Sequence, residues 1–206
     1  MNTEMQPVRI AIFASGMGSN AREIIRYFHE AGHNVLGRKV EIGLIACNKT
    51  GAGVIQVAAE SGIPVLMLER ITFESPNSCL QELTGHNISF IVLAGFLWKI
   101  PAALIRAYPE RILNIHPGLL PNYGGKGMYG KAVHKAVVEN NERESGITIH
   151  YVDEVYDHGR LFFQANFNLA PGETAESLAI RIGKLEHEHF PEQIARWIEC
   201  KLSLNP

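Results

Sequence analysis

Short apolar segments alternate with segments of helical pattern over the first half of this chain. Val8–Ala14 is nearly continuous in β-branched and other apolar residues, as expected of a strand that is buried on both faces. Further strands are predicted at Val40–Cys47, Pro64–Leu68, Ile88–Ala94 and Ile112–Ile115, with helices between them at Ala21–Ala31, Val54–Ser61, Pro76–Gly85 and Pro101–Tyr108. Such alternation is typical of an α/β fold with a doubly wound, mostly parallel sheet.

The second half of the chain departs from this alternation. A helix is predicted at Lys131–Asn140, followed by two strands, Ile147–Tyr151 and Leu161–Asn168, without a helix between them. Two strands joined directly favour an antiparallel pair at the edge of the sheet. A long helix follows over Ala175–Lys201, and a break is expected near Pro191. The pattern therefore predicts a three-layer α/β fold with an antiparallel C-terminal edge.

Composition excludes several classes of partner. The chain is 46% hydrophobic and 19% charged, with a formal net charge of −2, so nothing in its charge favours nucleic acid or an anionic membrane. Cys47, Cys79 and Cys200 are too scattered for a disulfide framework or a zinc site. Met1–Pro7 lacks an apolar signal segment, and Phe90–Trp98 is too short to span a bilayer. We expect one cytoplasmic domain over residues 1–206, either monomeric or homodimeric, with small molecules as its partners.

An asparagine and a histidine end the fifth predicted strand. Asn114 and His116 are two residues apart in the segment Asn-Ile-His-Pro-Gly-Leu-Leu-Pro. Side chains at i and i+2 point to the same side of a strand, so both would project beyond its carboxyl end. An imidazole exchanges protons near neutral pH, and an amide donates a hydrogen bond to an oxyanion. The alternative is a capped strand end with one surface histidine.

A glycine loop, Gly16-Met-Gly-Ser-Asn20, joins the first strand to the first helix. Glycines allow a tight turn, and the start of the following helix offers free N–H groups to an anion. The loop fits a dinucleotide motif, but the tip of the second strand, Cys47-Asn48-Lys49, lacks the acidic residue that would hold a cofactor ribose. A single phosphate is favoured, and a turn without a ligand is the other possibility.

Other polar clusters are weaker signals. Asp153, Glu154 and Asp157 lie in a turn that returns toward the same sheet edge, where a carboxylate could orient an imidazole, although from the residues alone a solvated surface turn is the better explanation. His187 and His189 are two apart on a predicted helix and face different ways, and the remaining histidines show no ligand-like spacing, so no metal is predicted.

Two aromatic residues follow the fourth predicted strand. Phe96 and Trp98 come directly after Ala94-Gly95, where they could line a slot at the carboxyl end of the sheet. Ordinary packing is the more common role for such side chains.

Taken in order, four segments resemble the phosphoribosylglycinamide formyltransferase family. They are Ser15-Gly-Met-Gly-Ser-Asn20, Leu93-Ala-Gly-Phe96, Leu113-Asn-Ile-His-Pro-Gly-Leu-Leu-Pro121, and Gly146-Ile-Thr-Ile-His150 followed by Asp157. The resemblance runs from about Val8 to about Pro191. It implies the formyltransferase fold, with a phosphate-binding half over about residues 1–100 and a catalytic, folate-binding half over about residues 101–206.

The resemblance also implies roles for individual residues. Those matching the substrate site are Gly18, Ser19 and Asn20 for the phosphate and Glu186 near the ribose hydroxyls. Those matching the folate site are Leu97, Trp98, Lys99, Ile100 and Asn114. The catalytic trio of the family matches Asn114, His116 and Asp157. His116 would carry the proton, Asn114 would stabilise the oxyanion, and Asp157 would raise the pKa of His116.

The implied reaction moves the formyl group of 10-formyltetrahydrofolate to the amine of a phosphoribosylglycinamide, a one-carbon transfer of purine biosynthesis, without a metal. Two departures from the family pattern stand out: Ile71–Ser78 offers no arginine for the folate tail, and Arg160 replaces a proline in the turn after Asp157.

Four other functions remain to be considered from the sequence. A formyltetrahydrofolate deformylase or another formyl-folate transferase would use the same trio, but their usual N-terminal or C-terminal extra domains are not expected here. A nicotinamide-dependent oxidoreductase is opposed by the missing acidic residue near Asn48. A non-catalytic nucleotide-binding module would leave Asn114 and His116 idle.

Overall fold

The computed structural model describes residues 5–204, without the side chains of residues 76 and 77. The prediction for Met1–Pro7 therefore lies partly outside the described residues. The strands are β1 (Val8–Ala14), β2 (Asn34–Val35), β3 (Arg38–Cys47), β4 (Val65–Met67), β5 (Phe90–Leu93), β6 (Ile112–His116), β7 (Glu144–Tyr151) and β8 (Leu161–Asn168). The helices are α1 (Ser19–Ile25), α2 (Gly53–Glu60), α3 (Arg70–Glu74), α4 (Pro76–Gly85), α5 (Ala102–Ala107), α6 (Lys131–Glu139) and α7 (Ala175–Leu204). A π-helical segment, Arg26–Glu30, continues α1.

All eight strands belong to one sheet whose order fixes the place of the site. The parallel part runs β4-β3-β1-β5-β6, and β7 and β8 add to it in antiparallel orientation. The chain moves outward from β1 to β3 and β4, and then returns to place β5 on the other side of β1. Strand order therefore reverses between β1 and β5, which is where open α/β sheets bind their ligands.

Apolar residues of the parallel strands are buried on both faces of the sheet. One face packs against α1, α2, α6 and α7, in a core that includes Phe28, Phe90 and Trp197. The other face packs against α3, α4 and α5, in a core that includes Phe13 and Leu83. The predicted three-layer, mostly parallel fold with an antiparallel C-terminal edge is confirmed.

Three local features differ from the predictions. The expected break near Pro191 is wrong, because α7 runs unbroken through it and the proline is buried in the core-facing side of the helix. A two-residue strand, Asn34–Val35, forms an unpredicted hairpin with the start of β3, turning at Leu36 and Gly37, both of which have positive φ. The helix Arg70–Glu74 was also not predicted.

No helix among residues 5–204 is long and apolar enough to cross a membrane.

Candidate active site

Two loops meet at the point where strand order reverses. The loop after β1 and the loop after β5 are joined by a hydrogen bond from the Ser15 N–H to the Gly95 carbonyl at 3.1 Å. The Ser15 hydroxyl oxygen also accepts the Leu97 N–H at 3.0 Å. The glycine loop and the Phe96–Ile100 segment are therefore held side by side at the carboxyl edge of the sheet.

Pairing between β6 and β7 brings the predicted polar residues together. Asn114 lies opposite His150, and His116 lies opposite Thr148. Thr148 is fully buried, donates to the Gly118 carbonyl at 2.7 Å and accepts the Leu120 N–H at 3.0 Å. These bonds fix the start of the loop that follows His116, because Gly118 and Leu120 are both held by the same side chain of β7.

Asp157 lies between two buried histidines. Its Oδ2 is 3.6 Å from His116 Nδ1, and its Oδ1 is 3.6 Å from His150 Nε2. Each histidine is 3% exposed. Asn114 Nδ2 lies 3.0 Å from His150 Nε2, which completes a connected group of four side chains. The three residues of the predicted trio are thus brought together, and His150 joins them.

Backbone carbonyls assign the histidine tautomers. His150 Nδ1 lies 2.8 Å from the Tyr151 carbonyl, and a carbonyl only accepts, so Nδ1 carries the proton. In the neutral ring, Nε2 then accepts one amide hydrogen of Asn114, and the second hydrogen of that amide stays free for a ligand. His116 Nε2 lies 2.9 Å from the Tyr123 carbonyl. By the same reasoning the neutral His116 ring has an unprotonated Nδ1, the atom that faces Asp157.

The pKa of His116 results from opposing effects. Burial lowers it, while the Asp157 carboxylate and the Tyr123 carbonyl raise it, and the net pKa lies below the ordinary value. The sign of the Asp157 contribution agrees with the expectation from the resemblance. An imidazolium that persists at neutral pH does not follow, because desolvation is the largest effect. His116 is therefore neutral at pH 7 in the protein without ligands.

Asp157 stands in an unusual backbone conformation, with φ of +53°. Such angles are uncommon outside glycine and cluster at functional sites. Its Oδ2 accepts the Gly125 N–H at 2.9 Å. Burial raises the pKa of Asp157, but its polar surroundings, including the hydrogen bond from the Gly125 N–H, outweigh burial, so the net pKa is lowered and the side chain is a carboxylate.

Two chambers open beside this group. The large chamber, of about 740 Å³, is lined among others by Ser19, Asn20, Arg70, Leu97, residues 125–130, His134 and Glu186. The small chamber, of about 60 Å³, is lined among others by Leu93, Trp98, Lys99, Ile100, His150 and Val155. Asn114, Asp157, Phe96 and Tyr156 line both. His116 lines neither, because its ring lies behind Asp157.

Of the three residues predicted to bind the phosphate, two line the large chamber and one does not. Ser19 and Asn20 line the large chamber, whereas Gly18 does not. Gly18 instead forms the turn: its φ is +81°, and a Cβ there would be 2.8 Å from the Val54 Cα. Asn20 Nδ2 donates to Glu186 Oε2 at 2.8 Å, which links the loop to α7. Burial raises the pKa of Glu186 to about 7, and the Asn20 bond opposes this only in part.

The predicted folate segment is divided between the chambers. Trp98, Lys99 and Ile100 line the small chamber, while Leu97 lines the large one and its N–H is already bonded to Ser15. The Trp98 ring also packs against Phe73 at 5.8 Å between centroids, so it has both a packing role and a position in the site. The Arg70 guanidinium lies 5.5 Å from the Trp98 ring centroid, although no arginine was expected here.

Sequence reasoning missed His150 and His134, both buried beside the chambers. The alternation of Thr148 and His150 along β7 was a usable signal for His150, because it matches that of Asn114 and His116 on β6.

Arg160, in place of the family proline, donates to Glu110 Oε1 at 2.8 Å and lies over the Tyr151 ring, away from both chambers. No metal-binding group of three or more His, Cys, Asp or Glu side chains occurs among the residues described.

A comparison with known proteins matches residues 8–194 to the family described as formyl transferase. The chain belongs to the formyltransferase family. It is 34% identical over 190 residues to phosphoribosylglycinamide formyltransferase of Bacillus subtilis, which covers 90% of this chain and 92% of that protein. It is 42% identical over 201 residues to the chloroplastic enzyme of the same name from Arabidopsis thaliana, covering 94% of this chain but only 66% of that protein.

Solved structures of formyltransferases agree with this assignment. The phosphoribosylglycinamide formyltransferase of Bacillus halodurans superposes with a TM-score of 0.80 at 34% identity, covering 91% of this chain and 94% of that one. Glycinamide ribonucleotide transformylase 1 of Geobacillus kaustophilus gives a TM-score of 0.81 at 34% identity, covering 92% and 98%. The resemblance inferred from the motifs is confirmed.

Proposed function

We propose that this chain transfers the formyl group of 10-formyltetrahydrofolate to the amine of N1-(5-phosphoribosyl)glycinamide, a step of purine biosynthesis. The observation that carries the proposal is that Asn114 and Asp157 line both chambers. A transfer between two small molecules needs reacting atoms delivered from two sides to one set of polar groups. The names of the similar proteins support the same reaction. The cytoplasmic location and the oligomeric state stay predictions.

In this proposal the large chamber takes the ribonucleotide. Ser19 and Asn20 bind its phosphate with the N–H groups at the start of α1, and Glu186 accepts hydrogen bonds from the ribose hydroxyls. The folate lies on the side of the small chamber, with its pterin ring at the chamber's opening against Trp98, Lys99 and Ile100. This arrangement leaves the substrate amine and the formyl carbon next to Asn114.

The reaction is a direct attack. The amine nitrogen forms a bond to the formyl carbon, and the carbonyl oxygen becomes an oxyanion that accepts the free N–H of the Asn114 amide. One donor of this kind contributes roughly 10²–10³ in rate. The bond from carbon to N10 then breaks, and N10 takes up a proton. An amine is already a competent nucleophile, so no acyl-enzyme is formed.

His116 carries the proton between the two nitrogens. Its unprotonated Nδ1 accepts the proton lost by the attacking amine, and the resulting imidazolium is stabilised by the Asp157 carboxylate 3.6 Å away. His116 then returns the proton to N10. Because Asp157 lines both chambers and His116 lines neither, a water molecule beside Asp157 relays the proton between the reacting nitrogens and His116 Nδ1.

The test is an assay of tetrahydrofolate release from 10-formyltetrahydrofolate, first with the ribonucleotide and then with water alone. We expect release that depends on the ribonucleotide and that Asn114→Ala lowers by about 10²-fold or more. Asn166→Ala, an exposed residue of β8 outside both chambers, is the control and should retain activity. Equal release with water alone would establish a deformylase and overturn the proposal. A titration with NAD(H) tests the oxidoreductase alternative, and we expect no binding.

A further inference from the structure

His134 is a buried histidine that the proposed reaction leaves unused. It lies in α6 between the core residues Val133 and Val137, and it is 5% exposed. Burial lowers the pKa of His134, and a proton on the nearby His116 ring would lower that pKa further, so the neutral form of His134 is favoured at pH 7. A neutral imidazole offers one N–H donor and one acceptor.

One nitrogen of this ring has no partner. His134 Nδ1 is sealed from solvent and makes no hydrogen bond to any residue that the structure describes. The two other buried histidines differ, since His116 and His150 each place a ring nitrogen within 2.9 Å of a backbone carbonyl. A sealed N–H without an acceptor is rarer in proteins than a sealed acceptor without a donor. The proton of His134 therefore belongs on Nε2, which leaves an N–H donor with no acceptor among the residues that the structure describes.

The position of the ring identifies what it faces. His134 lines the large chamber, together with Ser19, Asn20 and Glu186, and it does not line the small chamber. Because His134 lines the same space as Asn20 and Asn114, a molecule that fills the large chamber can contact the His134 ring. The acceptors that such a molecule presents there are the oxygens of its ribose and phosphate.

We propose that His134 is a ribonucleotide-binding residue whose Nε2–H donates to an oxygen of the ribose-phosphate portion of the substrate. This inference rests on the proposed function and extends it. The Nε2–H of His134 favours a ligand that places an oxygen acceptor next to it in the large chamber. A ligand without such an oxygen would leave this N–H unpaired in the complex. His134 thus contributes to the choice of a phosphorylated ribose over smaller amines.

Substitution separates binding from catalysis. In His134→Leu the donor is lost, and we expect the ribonucleotide KM to rise about tenfold or more, with kcat and the folate KM changed little. His134→Gln restores a donor and should recover part of the affinity. Ser145→Ala is the matched control, because Ser145 is equally buried and its Oγ also lacks a partner among the described residues, but it lines neither chamber. An equal effect of Ser145→Ala would show that the change is structural and would overturn the assignment.

Imidazole nitrogen spectra of the unaltered protein test the contact directly. The His134 signals are assigned by their loss in His134→Gln, and ribose 5-phosphate, the ribonucleotide and a folate analogue are then added separately. We expect the first two to shift the His134 signals and the folate analogue alone to leave them unchanged. Ribonucleotide binding with unmoved His134 signals and an unchanged KM in His134→Leu overturns this assignment alone. No ribonucleotide binding at all overturns the proposed function, and this inference with it.

Discussion

At the scale of single residues, His116 and Asp157 show two physical effects in competition. Burial disfavours the charged imidazole, and a carboxylate 3.6 Å away favours it, with burial the larger effect. A ring that is neutral before reaction and charged during it suits a proton carrier better than a ring that is charged throughout. The carboxylate then acts mainly when the proton arrives on Nδ1.

Asp157→Asn should lower the pKa of His116 further, because the amide has no charge to stabilise imidazolium, whereas burial is unchanged. We expect kcat to fall by roughly 10²-fold or more while the ribonucleotide KM changes little. Activity that needs neutral His116 falls as the pH drops through the pKa of this ring, so the acidic limb of the pH–rate profile should move to lower pH in the variant. Asparagine tolerates the positive φ of this position.

The control for Asp157→Asn is Glu154→Gln, an exposed residue of the same turn that pairs with Arg106 and lines neither chamber. Its activity and pH profile should match those of the unaltered protein. NMR titration of the His116 ring checks the cause. Coincident titrations in Asp157→Asn and the unaltered protein would show that Asp157 is not the partner.

The phosphate assignment is tested by Ser19→Ala combined with Asn20→Ala. Each lost donor is worth about 1–3 kcal/mol, so the ribonucleotide KM should rise at least about tenfold, and much more than the folate KM. The measurement is initial rate against each substrate in turn. An unchanged ribonucleotide KM would remove the phosphate from this loop. Thr50→Ala, in the turn after β3 and outside the chambers, is the control.

Trp98 should report folate binding by its fluorescence. Trp98 and Trp197 are the two tryptophans of this chain and the source of its indole emission, and Trp197, in α7, is fully buried against Phe90. A folate analogue in the small chamber contacts Trp98, so Trp98→Phe should abolish most of the emission change. A response that survives this substitution would place the analogue elsewhere or indicate a distant conformational effect.

At the scale of elements, the sequence predicts those whose apolar pattern is unambiguous. β1 is a continuous apolar run and is buried on both faces with the predicted bounds, Val8–Ala14. β8 also has its predicted bounds. A strand that is buried on both faces, as β1 is, leaves no alternative positions for its side chains, so sequence pattern and structure agree for β1.

Elements decided by tertiary contacts could not be predicted. Pro191 would break an isolated helix, but α7 packs along the sheet, and this burial offsets the lost backbone hydrogen bond. The hairpin at Asn34–Val35 turns through Leu36 at a φ of +49°, a conformation for which leucine gives no signal. Neither the packing of α7 around Pro191 nor the positive φ of Leu36 can be inferred from the residues next to them in the sequence.

The candidate site could be predicted only in part, because some of its contacts depend on local spacing and others on the fold of a distant loop. Spacing on one strand was enough to place Asn114 and His116 together. The contact of His116 with the Tyr123 carbonyl, and of Asp157 with the Gly125 N–H, depends on how the glycine-rich loop folds back over β6. Every residue has a backbone carbonyl, and all but proline have an N–H, so residue types do not show which backbone groups will bond His116 and Asp157. The tautomer and the net pKa of His116 therefore had to come from the structure.

At the scale of the whole molecule, the reversal of strand order creates the cavity, and α7 closes its far side with Glu186. A carboxyl group there costs the folded protein free energy when it ionises, because burial raises its pKa to about 7. Such a cost is typical of residues kept for binding rather than for stability. The raised pKa of Glu186 therefore predicts how the stability of the protein changes with pH, and this can be measured without substrate.

Glu186→Gln should stabilise the protein in a pH-dependent way. The folded-state pKa of about 7 lies above the ordinary 4.5, so the folded protein binds the extra proton between these values and loses stability as the pH rises through them. Glutamine has no such loss, and the gain should grow from near zero at pH 4.5 to roughly 3 kcal/mol above pH 7, or about 5–10 °C in Tm. Thermal unfolding at a series of pH values measures it, with the exposed Glu188→Gln on the same helix as control. The same substitution should raise the ribonucleotide KM, since the amide is a weaker acceptor for ribose hydroxyls. A gain in Tm that is equal at all pH values would show that the pKa of Glu186 is not raised by its burial, and would contradict this prediction.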